Sequence, residues 1–450
     1  MRIALVLYPI NDLGGIINHV ENLGAGLREL GHTVNLHILY WQENWRNPSY
    51  SNKELLKKGW SRGAFGVVHQ FTGWNTYPWK ERLFYKGKEN LKKTRKILSS
   101  YDLIIWEIPV PTKIKINVGN TDWLSLYDCC DKNIAMVHDG NLMNTPWIYE
   151  IRKKLTGLAC VHECAYNIGQ NLDVPRAMIV NPQNLTRLDE VYDYSEREQG
   201  FLTIQVFKAW KHVCDIVRAI PYLPKAMRKV MAGGGIEQRY MVSKHKTKDR
   251  YYCRKQDDPD LPEYMESNRV RIWERALYSG MEYMGFISSL KRDLLLRQLR
   301  TLIDPSWSLR YSEYGSHFNR VVVEAIKMGT IPIATNLGMS DNLEGEGAIF
   351  KPKDNYIMIP YDFSPKDYAG IIEYANNLST DEANKIIETN YDLLGHFDRR
   401  KIAQDFIDLA NKKKCGFFNR RQQGKEVSKE LKVSSKEEME NFFGKGKFNK

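Results

Sequence analysis

Short apolar runs alternate with amphipathic stretches along most of this chain. One series lies at 2–8, 33–39, 102–106 and 133–137, and a second at 200–206, 229–234, 302–306 and 330–335. Runs apolar at every position predict strands covered on both faces, and their alternation with helical segments predicts βαβ units around parallel sheets. Behind the first run, Ile17, Val20, Gly24, Leu27 and Leu30 recur near the 3.6-residue period of one helical face. Periodicity lapses near 182–199, in a polar stretch that reads as a linker. The pattern therefore predicts an α/β protein with two Rossmann-like, doubly wound parallel-sheet domains, 1–190 and 191–395, facing across a cleft. Residues 396–450 are expected to form a C-terminal helix and basic tail that cross back to the first domain.

Two segments interrupt this plan. Residues 41–100 hold five of the eleven tryptophans, and 241–282 carry a second charged, aromatic excursion. The formal charge of +12 is also localised: 13 Lys/Arg stand against 4 Glu in 41–100, and 12 against 5 in 411–450. Basic residues interleaved with aromatics suit phosphate backbones and stacked bases, and equally suit anionic membrane surfaces. No uncharged apolar stretch approaches ~20 residues, so a transmembrane helix is not expected. The first apolar run is too short for a secretory signal, which points to a cytoplasmic protein. Seven cysteines, an odd number, argue against a disulfide framework. CVHEC at 160–164 has no second ligand cluster at zinc-like spacing, so buried thiols are expected and a metal is not.

Gly14 and Gly15 stand between the first strand and its helix, where free N–H groups and the helix dipole favour an anion. A tight strand-to-helix turn would use the same glycines. The dinucleotide fingerprint G-x-G-x-x-G is absent. His138 and Asp139 follow the apolar run 133–137, which sets them at the carboxyl edge of a sheet, where α/β ligands bind. Histidine there can hydrogen-bond a sugar and aspartate can orient or deprotonate a hydroxyl; a histidine that merely ends the strand is the plainer alternative.

Gly14, Gly15, His19, Val20, Leu23, Leu27, Gly31, His32 and Val34 reproduce the spacing of an amino-terminal motif. The segment resembles that of the retaining GT-B glycosyltransferases, family-4-like. IAMVHDGN (134–141), KAWKH (208–212), VMAGGGIEQRY (230–240), MGFIS (284–288) and the region 304–335 continue the resemblance in order. It implies a GT-B fold, a UDP-sugar donor, no essential cofactor or metal, and transfer with retention. By resemblance, His138, Asp139 and Lys211 are catalytic. Gly14, Gly15, Lys208, Glu237, Ser316, His317, Asn319 and Glu324 are donor-binding, with Glu324 accepting the ribose hydroxyls. A leaving diphosphate needs fixed positive charge, hence Lys208 and Lys211. The family arginine five residues before the lysine is Val206 here, and the first Glu of its E-x7-E pair is Ser316.

Short words such as VHDGN, the Trp210–Lys211 pair and GTIPI further resemble the glycosyltransferases that act on hydroxymethylcytosine in T-even phage DNA. That implies transfer of glucose, or a pentose such as arabinose, to 5-hydroxymethylcytosine in double-stranded DNA. The protein would then be a monomer in the cytoplasm of the host, with Trp60, Arg62, Trp74, Trp79 and Lys80 gripping the DNA. The alternatives are a peripheral-membrane transferase of bacterial surface polysaccharide or glycolipid synthesis, and a DNA- or sugar-binding module without turnover, which Val206 and Ser316 leave open.

Overall fold

The structure, a computed structural model, describes residues 1–7, 15–39, 67–71, 91–107, 123–138, 146–161, 163–185, 193–206, 211–234, 276–306, 320–335, 350–359 and 364–417. The chain divides into two compact units, one built from Met1–Leu185 with the stretch that begins at His396, the other from Thr186–Gly395.

In the first unit β1 (Arg2–Leu7), β2 (Thr33–Leu39), β3 (Val67–Phe71), β4 (Leu103–Trp106), β5 (Asn133–Val137), β6 (Gly157–Cys160) and β7 (Arg176–Met178) make one sheet. Their spatial order is β3-β2-β1-β4-β5-β6-β7, and every neighbouring pair runs parallel. Ile3 to Val6 are fully buried, as are all of Leu103–Trp106 and all the apolar side chains of β5. Helices cover both faces of such a sheet, so uninterrupted apolar runs are what its strands require. Each such side chain is worth about 1.5–3 kcal/mol against exposure. Trp106 packs on Tyr127 at 4.3 Å between ring centroids and donates its indole N–H to Asn133 Oδ1 at 3.1 Å. Asn133 in turn donates to the Tyr127 carbonyl at 3.0 Å, so this buried polar pair is satisfied.

The second unit holds β8 (Glu198–Val206), β9 (Arg228–Gly234), β10 (Glu282–Tyr283), β11 (Leu299–Asp304), β12 (Ile331–Ala334) and β13 (Ile357–Met358). They lie in the order β10-β9-β8-β11-β12-β13, again parallel throughout. Arg197, 3 % exposed, donates to the carbonyls of Leu296 at 3.0 Å and Met328 at 2.6 Å, tying two chain turns to the foot of β8. Burial pushes its guanidinium down to about 10.

Helix Arg399–Ala410 belongs to the first unit although most of the chain precedes it. Asp398 caps it by accepting from the N–H groups of Arg400 and Lys401, both at 3.0 Å. It packs on helix Gly15–Glu29 at Gly26, where an added Cβ would stand 2.3 Å from the Arg399 carbonyl oxygen. Arg399 forms an ion pair with Glu29 on that helix. The seam explains a glycine inside a helix, a residue that costs about 1 kcal/mol against alanine there.

All eight expected strands are present, with ends shifted by a few residues. MGFIS begins just after β10, and its first residues still bond β9: the Met284 N–H donates to the Met231 carbonyl at 2.9 Å and the Gly285 carbonyl accepts from the Gly233 N–H at 2.7 Å. One expectation needs correction. The aromatic segment 41–100 is not wholly an insertion, since Val67–Phe71 within it is the edge strand beside β2.

Candidate functional site

Both sheets reverse direction once. In the first unit the chain steps outward from β1 to β3 and then returns to the other side of β1 with β4; in the second it does the same at β8 and β11. Diverging connections leave a crevice at the carboxyl ends of such neighbouring strands, the usual ligand position in open α/β sheets.

At the β1–β4 reversal three side chains converge. His19 lies in helix Gly15–Glu29, which follows β1; Glu107 is the residue after β4; His138 is the residue after β5. Glu107 Oε2 is 3.3 Å from His19 Nε2 and 3.3 Å from His138 Nε2. The two imidazoles meet edge to face with centroids 4.9 Å apart. Glu107 is fully buried, His19 is 1 % exposed and His138 is the most exposed of the three, its side chain at 10 %. His19 Nδ1 lies 2.9 Å from Asn181 Oδ1, beyond the end of β7, and Phe406 of helix Arg399–Ala410 stands edge-on to the same ring. Glu107 Oε1 is buried without a hydrogen-bond partner among the described residues.

At the β8–β11 reversal, Gln205 near the end of β8 donates to Asp304 Oδ1 at 2.9 Å, and the Ser306 hydroxyl and N–H bond the same oxygen. Asp304 Oδ2 is buried with no hydrogen-bond partner among the described residues. Gly233, at φ +120, lets the end of β9 press against β8: a Cβ there would fall 1.9 Å from the Gln205 carbonyl oxygen. Lys211 lies in the connection after β8 and is 6 % exposed. His212 beside it adopts a left-handed backbone at φ 49 and holds Asp215 Oδ2 at 2.9 Å. Glu324, on helix Arg320–Lys327, forms ion pairs with Arg292 Nη1 at 2.7 Å and Arg320 Nε at 3.1 Å. On the same helix, burial pushes the Lys327 ammonium below the ordinary lysine range.

Of the residues expected at the site, His138, Lys211 and Glu324 are described, and helix Gly15–Glu29 starts on Gly15. Gly14, Asp139, Lys208, Glu237, Ser316, His317 and Asn319 lie outside the described residues, as do Trp60, Arg62, Trp74, Trp79 and Lys80. Glu107 was not anticipated. Its signal is a carboxylate directly behind an apolar run, the same rule that singled out His138. His19 was read only as part of a motif, and the structure makes it part of the cluster.

No protein-family model matches the sequence, and no curated protein does. Solved structures do match the fold. Anabaena HepE in complex with UDP and glucose is 14 % identical, with a TM-score of 0.59 over 91 % of this chain and 99 % of that one. An alpha-glucosyltransferase in complex with UDP-glucose and DNA containing an abasic site is 14 % identical, with a TM-score of 0.60 over 91 % and 99 %. S. aureus TarM in complex with Fondaparinux, alpha-GlcNAc-glycerol and UDP is 11 % identical, with a TM-score of 0.59 over 91 % and 99 %. The chain has the GT-B fold shared by these structures.

Proposed function

With the GT-B fold as premise, we propose that this protein is a glycosyltransferase that takes its sugar from a UDP-sugar. The acceptor in this reading is the hydroxymethyl group of 5-hydroxymethylcytosine in DNA. The sugar is glucose or a pentose such as arabinose, transferred with retention. One observation supports the proposal: each unit by itself carries candidate residues at its strand reversal, the buried Lys211 in the connection after β8 in the second and the His19–Glu107–His138 cluster beyond β1, β4 and β5 in the first.

The chemistry assigns each group a task. Breaking the bond between the anomeric carbon and the diphosphate oxygen builds negative charge on UDP, and Lys211 is the fixed cation that offsets it. The acceptor oxygen forms its bond on the same face, and its proton passes to the departing phosphate oxygen. His138 hydrogen-bonds the sugar, while Glu324, held by two arginines, accepts from the ribose hydroxyls. Support for DNA comes from the basic, Trp-rich composition of 41–100 and from the DNA-bound structure among the neighbours. A base reached by such an enzyme must leave the stack.

Lys211→Ala is expected to lower kcat about 10²–10³-fold while DNA affinity stays unchanged; full turnover would remove the diphosphate role. Incubation with a panel of UDP-sugars and hydroxymethylcytosine DNA, followed by mass spectrometry of the nucleosides, tests the reaction itself. A sugar-modified nucleoside is the expected product, and none with any donor would sink the DNA reading. TarM, solved with Fondaparinux and alpha-GlcNAc-glycerol beside UDP, supports a glycan acceptor and hence the second reading, a peripheral-membrane transferase of bacterial surface polysaccharide or glycolipid. DNA affinity that falls with salt by about 0.9 log units per log unit for each phosphate contact supports the first. Binding to anionic vesicles with none to DNA supports the second.

A further inference from the structure

We propose that His19, Glu107 and His138 together hold a divalent cation of the zinc class. The proposal stands on geometry and does not depend on the transferase reading. Each residue offers one ligand atom, His19 Nε2, Glu107 Oε2 and His138 Nε2, and all three lie within 4.8 Å of one another. Zinc binds imidazole nitrogen and carboxylate oxygen at about 2.0–2.2 Å, which places tetrahedral ligands about 3.3–3.5 Å apart. Both nitrogens stand 3.3 Å from the shared oxygen, within that spacing.

The contact behind His19 agrees. Its Nδ1 lies 2.9 Å from Asn181 Oδ1, and in the neutral tautomer that donates there the Nε2 lone pair is directed at Glu107. Two lone pairs facing each other in a buried place repel unless a cation lies between them. Metal-bound histidines characteristically give their second N–H to a carbonyl or carboxylate in this way. Glu107 is a fully buried carboxylate whose ion pairs among the described residues are with these two rings, and its Oε1 has no hydrogen-bond partner among those residues. Burying such a charge is costly without a compensating cation.

Two imidazoles and one carboxylate select borderline ions such as Zn²⁺ or Co²⁺ over Mg²⁺ or Ca²⁺, which prefer an all-oxygen shell. Three protein ligands leave a fourth position open. His138 Nδ1 remains free of the ion, so its proposed sugar contact is compatible with ligation through Nε2.

Full-length protein stripped with a chelator is titrated with Zn²⁺ by calorimetry and with Co²⁺ by visible absorption. One equivalent of Zn²⁺ and the d–d bands of tetrahedral Co²⁺ are expected. Glu107→Gln and His19→Ala should each weaken binding at least tenfold, while His212→Ala, a histidine outside the cluster, leaves it unchanged. His138→Cys keeps a ligand and should add a sulfur-to-cobalt charge-transfer band, a signature that loss of folding does not produce. No saturable Zn²⁺ binding by the unsubstituted protein would overturn the proposal. So would binding unaffected by Glu107→Gln together with a His138→Cys cobalt spectrum lacking the new band; the cluster would then be a carboxylate held by a protonated imidazole.

Discussion

Cys160 ends β6 without exposure, and burial pushes its thiol up to about 12. A thiol so protonated is a poor nucleophile. Cys160 is expected to stay unlabelled by a maleimide in the native protein and to react once denaturant is added, as peptide mapping would show. The residue had attracted notice as the start of CVHEC, and the structure places it in a strand core while a different set of ligands gathers elsewhere. That set was hard to foresee because no spacing joins it: positions 19, 107 and 138 follow three different strands. His138 was legible because a polar residue ending an apolar run must lie at a sheet edge. Glu107 obeys the same rule, but neighbourhood across β1, β4 and β5 becomes visible only when the strand order is known. Lys211 and Glu324 were legible as candidates, whereas the arginines gripping Glu324 come from a separate helix and from its own first turn.

Elements carry a second set of expectations. Gly26→Ala would drive a methyl group into the Arg399 carbonyl, and overpacking of this kind typically costs about 1–3 kcal/mol. Chemical denaturation should show that loss, and Arg399→Ala in the same background would not restore it because the obstacle is backbone. Helix Thr380–Leu394 begins with a reciprocal capping box in which Ser379 and Glu382 bond each other's backbone N–H. Ser379→Ala should cost about 1 kcal/mol. The Ser379 hydroxyl and N–H hold the Glu382 carboxyl below its ordinary value. Its stabilisation is therefore present above the unfolded carboxylate range and lost as pH falls through the lower folded value. The stability penalty of Glu382→Gln should accordingly be visible at neutral pH and vanish in acid. Long central strands were legible because β1 and β9 bury every residue after their first, which leaves a largely apolar run. β10 and β13, with two residues each, leave no period to detect. β3 was hidden because its strand lies inside a segment whose tryptophans and lysines dominate the reading.

Across the whole molecule, the two sheets repeat one plan, each wound outward from a central strand and then back on its other side. The plan was legible from alternation alone, since parallel strands need covering helices and so impose continuous apolar runs. The first unit is discontinuous and takes its last helix from Arg399–Ala410. A chain ended at Gly395 is expected to lose cooperative folding of the first unit while the second, whose described residues all lie within Thr186–Gly395, still melts as one transition in calorimetry. Two native-like transitions from that chain would show the helix to be dispensable. The seam at Gly26 also sets an order of events in the cell. Synthesis from Leu185 to His396 takes roughly 10–40 s at about 5–20 residues per second. For that interval the first unit to leave the ribosome waits with the groove around Gly26 and the flank of His19 uncovered, and the second can fold before it. Among the described residues, birth order and completion order run in opposite directions: the unit begun first is the one completed last.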